Sequence, residues 1–197
     1  MSGHSKWSQI KHRKGVSDQK KGQVFSKLAN KITIAARGRT DPSANYKLQS
    51  AIDEARAANM PKENIERAVK RAAEKEAASL NEITVQAMGP GSVAVVIEAI
   101  TDNKNRTIAE IKNILAKNEF KMVPEGSLNW IFIPHLFGTG ATHQAEGKSQ
   151  KGAGFNTGWT PKTPLEIGDP AVRQKFDKLL EELAANDDVE NVHSNLK

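Results

Sequence analysis

The chain contains no cysteine, which removes disulfides, thiolate nucleophiles and every Cys-based zinc or iron-sulfur site and fits a reducing compartment. Aromatic residues are scarce, at 5% of 197 residues, so the core has to be small and mostly aliphatic. No apolar run approaches the roughly 20 residues that span a bilayer. The polar, charged start lacks the apolar stretch of a secretory signal, and a cytoplasmic location is the expectation. His4, His12, His135, His143 and His193 are scattered, with no pair at the spacing of a helical metal site. No metal and no cofactor is therefore expected.

Signatures of catalysis are missing too. Gly89-Pro90-Gly91 lacks the Gly-Lys-Ser/Thr ending that contacts phosphate and magnesium, and the glycines near 152 to 158 do not join a strand to a helix. The first reads as a hairpin turn. Asp177, Glu181, Glu182, Asp187 and Asp188 mimic paired carboxylates, but their spacing fits the solvated face of an amphipathic helix better. No nucleophile stands beside a base, so no catalytic residue is assigned and the chain is read as a non-enzyme. Only a triad assembled from distant positions would change that reading.

Positive charge, by contrast, is abundant and uneven. Residues Met1 to Arg39 carry ten Lys and Arg against Asp18 alone, so this stretch is more positive than the +6 of the whole chain and the remainder is net acidic. Such a concentration creates a field suited to a polyanion; the plainer alternative is a solvated basic surface. Residues 1 to 16 show neither helical nor strand period and surround Trp7 and Ile10 with Lys6, Lys11, His12, Arg13 and Lys14. A Trp among cations can stack on an unpaired base while the cations meet phosphates. Equally, Trp7 and Ile10 can anchor the segment on the first helix.

From Asp18 to Arg37, Val24, Phe25, Leu28, Ile32, Ala35 and Ala36 form one apolar stripe at spacings of three and four. Lys20, Lys21, Lys27, Lys31, Arg37 and Arg39 fall largely off it, which predicts a basic outer surface. Asp41-Pro42 turns into a second helix read from Leu48, Ala51, Ile52, Ala55 and Ala58. Pro61 opens a third, carried by Ile65, Ala68, Val69 and Ala72. These helices read as a small bundle.

Near Leu80 the period changes from 3.6 to 2. Ile83, Val85 and Ala87, the 89–91 turn and Val93 to Ile100 predict a hairpin. A helix follows from Thr107 to Asn118, with Thr107 and Glu110 as a capping box, and then a strand through Leu128 to Ile133. Residues 138 to 158 are glycine-rich and read as a loop. Pro161 to Ile167 reads as a strand, Asp169-Pro170 caps a helix through Asn186, and Val189 to Ser194 is the last strand. The fold class is thus α+β: residues 1–78 form a basic tail and three-helix bundle, and residues 79–197 an α/β domain of β-α-β-β-α-β type with an extra opening hairpin strand. In the loop from Asp102 to Arg106, Asn103, Asn105 and Arg106 are secondary nucleic-acid candidates, although Asp and Asn also simply favour turns.

Gly3-His4-Ser5-Lys6-Trp7, Ile10-Lys11-His12-Arg13-Lys14, Phe25-Ser26-Lys27-Leu28, Asn59-Met60-Pro61-Lys62, Asn64-Ile65 and Thr101-Asp102-Asn103-Lys104-Asn105-Arg106-Thr107 occur in one order along the chain. With the ending Asp187-Asp188-Val189-Glu190-Asn191-Val192, this series resembles the YebC/PmpR family. Its organellar relatives are translational activators of mitochondrial cytochrome c oxidase. The resemblance implies a non-enzymatic regulator with an N-terminal helical domain and an α/β part, described in bacteria as DNA-binding and transcriptional, while other members resemble translation factors acting on the ribosome. Carried over by position, the nucleic-acid-binding residues are Lys6, Trp7, Lys11, His12, Arg13 and Lys14, with Lys20, Lys21 and Lys27 on the first helix. The family's α/β part is normally interrupted by a further small domain, whose place after Phe132 is taken here by the glycine-rich loop.

The expected function is regulation of gene expression by occupancy of DNA, with the acidic α/β domain positioning the protein or meeting a protein partner. Ribosomal RNA as the target, in a translation factor, is the alternative. A protein-interaction module is the second. No helix-turn-helix with a base-reading face is evident, which favours RNA on physical grounds.

Overall fold

The structure, a computed structural model, describes residues 18–74, 79–134 and 158–197, with side chains of the first helix described from Lys21 onward. Helix α1 runs Asp18–Ala35, α2 Tyr46–Ala57 and α3 Lys62–Arg71. The stripe predicted on α1 is the one that packs: Leu28, Ile32, Ala35 and Ala36 meet Leu48, Ala51, Ile52, Ala55, Ile65 and Ala68 in one core. Alanine at half of these positions lets the helix axes approach closely. The corner between α1 and α2 is held by Asn45. Its carbonyl accepts from Leu48 N at 3.1 Å to cap α2, while its amide donates to Ala35 O at 2.7 Å and Arg39 O at 2.8 Å. Asp41-Pro42 starts a single 3-10 turn, Pro42–Ala44, ahead of that corner.

The remaining elements are β1 Asn81–Met88, β2 Ala94–Thr101, α4 Lys104–Lys117, β3 Lys121–Val123, β4 Phe132–Pro134, β5 Trp159–Pro161, α5 Pro170–Ala185 and β6 Val189–Ser194. The main sheet has the order β3-β1-β2-β6 with every neighbouring pair antiparallel. Strand β2 lies in its centre and is buried along both faces except at Glu98, which explains its near-continuous apolar sequence. On one face Val85, Val95, Ile97 and Val192 pack against α4 and α5 through Ile111, Leu115, Phe176, Leu179, Leu180 and Leu183. On the other, Ala94 and Val96 are covered by Leu128, Ile131 and Phe132, and Ile100 meets Ile34 of α1 and Leu80. The hairpin turn needs glycine at 89, because a Cβ there would stand 2.4 Å from Cε1 of the buried Phe120 ring.

The α+β class and the helix-then-sheet order agree with the sequence reading; several local expectations do not. The helix predicted from Thr107 starts at Lys104. Asn103 caps it by accepting from Arg106 N at 3.2 Å, an equally good cap that lies one turn earlier. Thr107 is buried inside the helix and its hydroxyl lies 2.8 Å from Thr101 Oγ1. The strand predicted through Leu128 to Ile133 is a helical turn followed by three residues of strand, because Phe132 N and Ile131 N both donate to Leu128 O at 2.9 Å. The strand expected at Pro161 to Ile167 is Trp159–Pro161, with a lone bridge between Leu165 and Leu196. Strands β4 and β5 pair with each other as a ribbon and stay off the main sheet. The glycine-rich stretch up to residue 157, and the expected domain boundary near residue 78, fall on or beside residues outside the description.

Candidate nucleic-acid interface

Of the residues nominated from sequence, Lys6, Trp7, Lys11, His12, Arg13 and Lys14 lie outside the described residues, and Lys20 lies on α1 without a described side chain. Lys21 is exposed near the start of α1. Lys27 and Lys31, further along α1, are engaged with neighbours. Lys27 Nζ donates to Ala184 O at 3.3 Å and to Val189 O at 3.0 Å. Ala184 is in the last turn of α5, whose carbonyls have no intrahelical partners and carry the negative end of the helix dipole. That turn holds no basic residue of its own, so a lysine from the bundle completes it.

One turn further, the Lys31 ammonium pairs with the Glu54 carboxylate of α2. Burial alone would lower this ammonium, but Glu54, with Glu190 and Glu98 beyond it, holds it above its ordinary value. Burial would likewise raise the Glu98 carboxyl, yet His193 Nε2 at 3.3 Å, Asn191 Nδ2 at 3.1 Å and the field of Lys31 hold it below. Gly158 lies against the His193 ring, where a Cβ would be 2.3 Å from Cε1. Arg37 Nη2 donates to Leu80 O at 2.7 Å, and Lys47 Nζ reaches Glu82 Oε1 at 2.6 Å. Of the basic outer surface predicted for α1, Lys27 and Arg37 thus reach from the bundle to carbonyls of the α/β part, and the half-buried Lys31 ties α1 to α2.

At the secondary candidates, Asn103 is the α4 cap and Asn105 is exposed in the first turn of that helix. Arg106 Nη2 lies 3.0 Å from Asp102 Oδ1 and 2.9 Å from Asp188 Oδ2, and the bond to Asp188 holds its guanidinium above its ordinary value. Thr107 donates to the same Asp188 oxygen at 2.5 Å. This loop therefore ties the start of α4 to the turn before β6, with the charge of Arg106 matched by two carboxylates. Among the described residues, no group of three His, Asp or Glu side chains is placed to hold a metal ion. No described helix is long and apolar enough to cross a membrane.

Sequence reasoning passed over Trp130, the most exposed large hydrophobic side chain described. The signal was its place two residues after Leu128 and one before Ile131, on the outer side of a helical turn whose inner side those two occupy.

Comparison with known proteins places this geometry among relatives. Residues 5–75 match the model described as the TACO1/YebC protein N-terminal domain, and residues 80–135 the model of the TACO1/YebC second and third domain. The second match ends at the edge of the glycine-rich stretch. A protein of Geobacter sulfurreducens named "Probable transcriptional regulatory protein" is 37% identical over 236 aligned positions, covering 99% of this chain and 95% of the relative. A namesake from Chloroherpeton thalassium is 49% identical over 134 residues, 67% of this chain and 54% of the relative. Among solved structures, a conserved hypothetical protein of Aquifex aeolicus superimposes with a TM-score of 0.77 at 30% identity, over 97% of this chain and 96% of its own.

Proposed function

The chain belongs to the TACO1/YebC family, and from that premise we propose that it is a non-enzymatic regulator of gene expression that binds nucleic acid through its basic start. One observation carries the reading: the ten Lys and Arg of Met1 to Arg39 against a single acidic residue. The binding residues are Lys6, Trp7, Lys11, His12, Arg13 and Lys14, extended by Lys20 and Lys21. Lys27, engaged with two carbonyls, belongs to the junction. The relatives' names favour DNA and transcription as the setting, and the acidic α/β domain then positions the protein or meets a protein partner.

The commitment of Lys27 and Arg37 to the junction, and of Lys31 to Glu54 within the bundle, supports the second reading, RNA and translation. It leaves α1 with less charge to lay along a duplex and gives more weight to the Trp7 segment, which suits unpaired bases. Titration of labelled duplex DNA, single-stranded DNA and ribosomal RNA fragments at several salt concentrations separates these readings. If roughly five phosphates are neutralised, log affinity falls against log salt with a slope of about −4.5 on a duplex and about −3.5 on a single strand. Deleting residues 1–16 removes most of the affinity. An affinity indifferent to salt, or unchanged by the deletion, overturns the proposal.

A further inference from the structure

The ribbon of β4 and β5 has two unlike faces. Its inner face carries Phe132, fully buried, and Trp159, packed on the core under Ala94 and Val96. Its outer face carries Ile133, paired with Thr160 and 48% exposed. Beside it the turn at 127–131 directs Leu128 and Ile131 inward and Trp130 outward, where Trp130 is 69% exposed. This turn is firmly built: Gln86 Oε1, from the main sheet, accepts from Leu128 N at 3.0 Å, and Lys162 N donates to Ile131 O at 2.8 Å. The Lys162 ammonium folds back to Asn129 O at 2.8 Å, which fixes a cation next to the residue that precedes Trp130. Lys121, exposed on the neighbouring edge strand, faces the same side as Val123 and this turn. Residues 121–134 and 158–162 hold Lys121 and Lys162 against one carboxylate, Glu125.

We propose that Trp130, with Lys162 and the exposed Ile133–Thr160 face of the ribbon, is a second binding site for single-stranded polynucleotide. Base stacking falls on the indole, and the adjoining phosphate on the Lys162 ammonium. Three features together select this occupant. A flat aromatic ring is held on a rigid turn, an extended ribbon beside it offers a surface on which a strand can lie, and the Lys162 ammonium is fixed next to the residue that precedes the ring. This is the combination by which single strands are bound without sequence reading. Duplex DNA does not fit, because its bases are already stacked. The inference rests on the nucleic-acid reading above and adds to the α/β domain a contact other than the secondary candidates Asn103, Asn105 and Arg106.

The test uses the full chain as Trp7→Phe with Trp159→Phe, leaving Trp130 as its one tryptophan. Oligouridylate, oligodeoxythymidylate and a mixed-sequence duplex are titrated at low salt, with binding read from the anisotropy of a label on the nucleic acid and stacking from indole emission. The expected result is saturable quenching by one or both single strands and none by the duplex; the two single-stranded arms separate RNA from DNA. In the otherwise native chain, Trp130→Ala weakens single-strand binding by about fivefold to a hundredfold and leaves duplex binding unchanged. Lys162→Gln lowers the single-strand salt slope by about 0.7. Binding by anisotropy with unmoved emission and no effect of Trp130→Ala overturns this site while leaving the basic start as the binder. No binding of any nucleic acid overturns both readings. Emission that shifts with protein concentration alone overturns it in favour of a contact between copies of the chain.

Discussion

The helical bundle and the sheet domain reach stability by different means. Five of the eleven buried residues in the bundle core are alanines, which bury little area each. The sheet core has Phe120, Phe176, Leu115, Leu179, Leu180 and Leu183 between β-branched strand residues. Burial contributes about 25 cal/mol per Å² of apolar surface, so each residue of the sheet core contributes more than each alanine of the bundle core. Lys27 and Arg37 hold the bundle to the α/β part through main-chain carbonyls, and the cations proposed above to meet nucleic acid are those before or at the start of the helix.

The contrast can be broken by substitution. Phe176→Ala, at a position 1% exposed, is expected to cost about 3–5 kcal/mol. Ala55→Gly in the bundle costs about 1 kcal/mol. Urea denaturation followed by circular dichroism compares them, and equal losses would mean that the two cores share one cooperative transition of similar density. A change smaller than that of Phe176→Ala tests the junction itself. Lys27→Met keeps the aliphatic stem and removes the ammonium, at a cost of about 1–2 kcal/mol. Amide exchange should quicken together in α1 and in the last turn of α5, and should not quicken at β2. Exchange confined to α1 would show that the α5 carbonyls do not depend on the bundle.

The smallest expected effect is on the pH dependence. The Glu98 carboxyl is held below its ordinary value of 4.5, so the folded state prefers it ionised. Its contribution is complete above that value and is lost as pH falls through the lower folded one. Thermal melts from about pH 6 to about pH 3 should show a shallower acid-side decline in Glu98→Gln than in the native chain. An identical decline would place the acid sensitivity on other carboxylates.

What could be read from the sequence was whatever a single element determines by itself. The α1 stripe, the hairpin around Gly89-Pro90-Gly91, the Asp169-Pro170 start of α5 and the β6 run follow from periodicity and capping, and each is found where expected. Strand β3 has three residues, Lys121–Val123, too few for a period to emerge. The 127–131 turn owes its shape to Gln86, 42 positions away from Leu128, and no local pattern contains that bond. Lys27 and Arg106 were legible as cations, but their partners at residues 184, 188 and 189 arrive only through the fold. For the same reason charge alone could nominate α1 as a binding surface and could not reveal that the α/β domain had already taken part of it.

The contact of Lys27 with Ala184 joins residues 157 positions apart, and that separation has a consequence during synthesis. At about 5–20 residues per second, α1 exists for roughly 8–30 seconds before the last turn of α5 has been made. Throughout that interval Lys27 has no carbonyl of α5 or β6 to meet, and the net acidic part of the chain that offsets the basic start is still being made. The nascent N-terminal part is thus a more strongly cationic object than the 197-residue chain, and synthesis of the acidic α/β part is the event that moderates it.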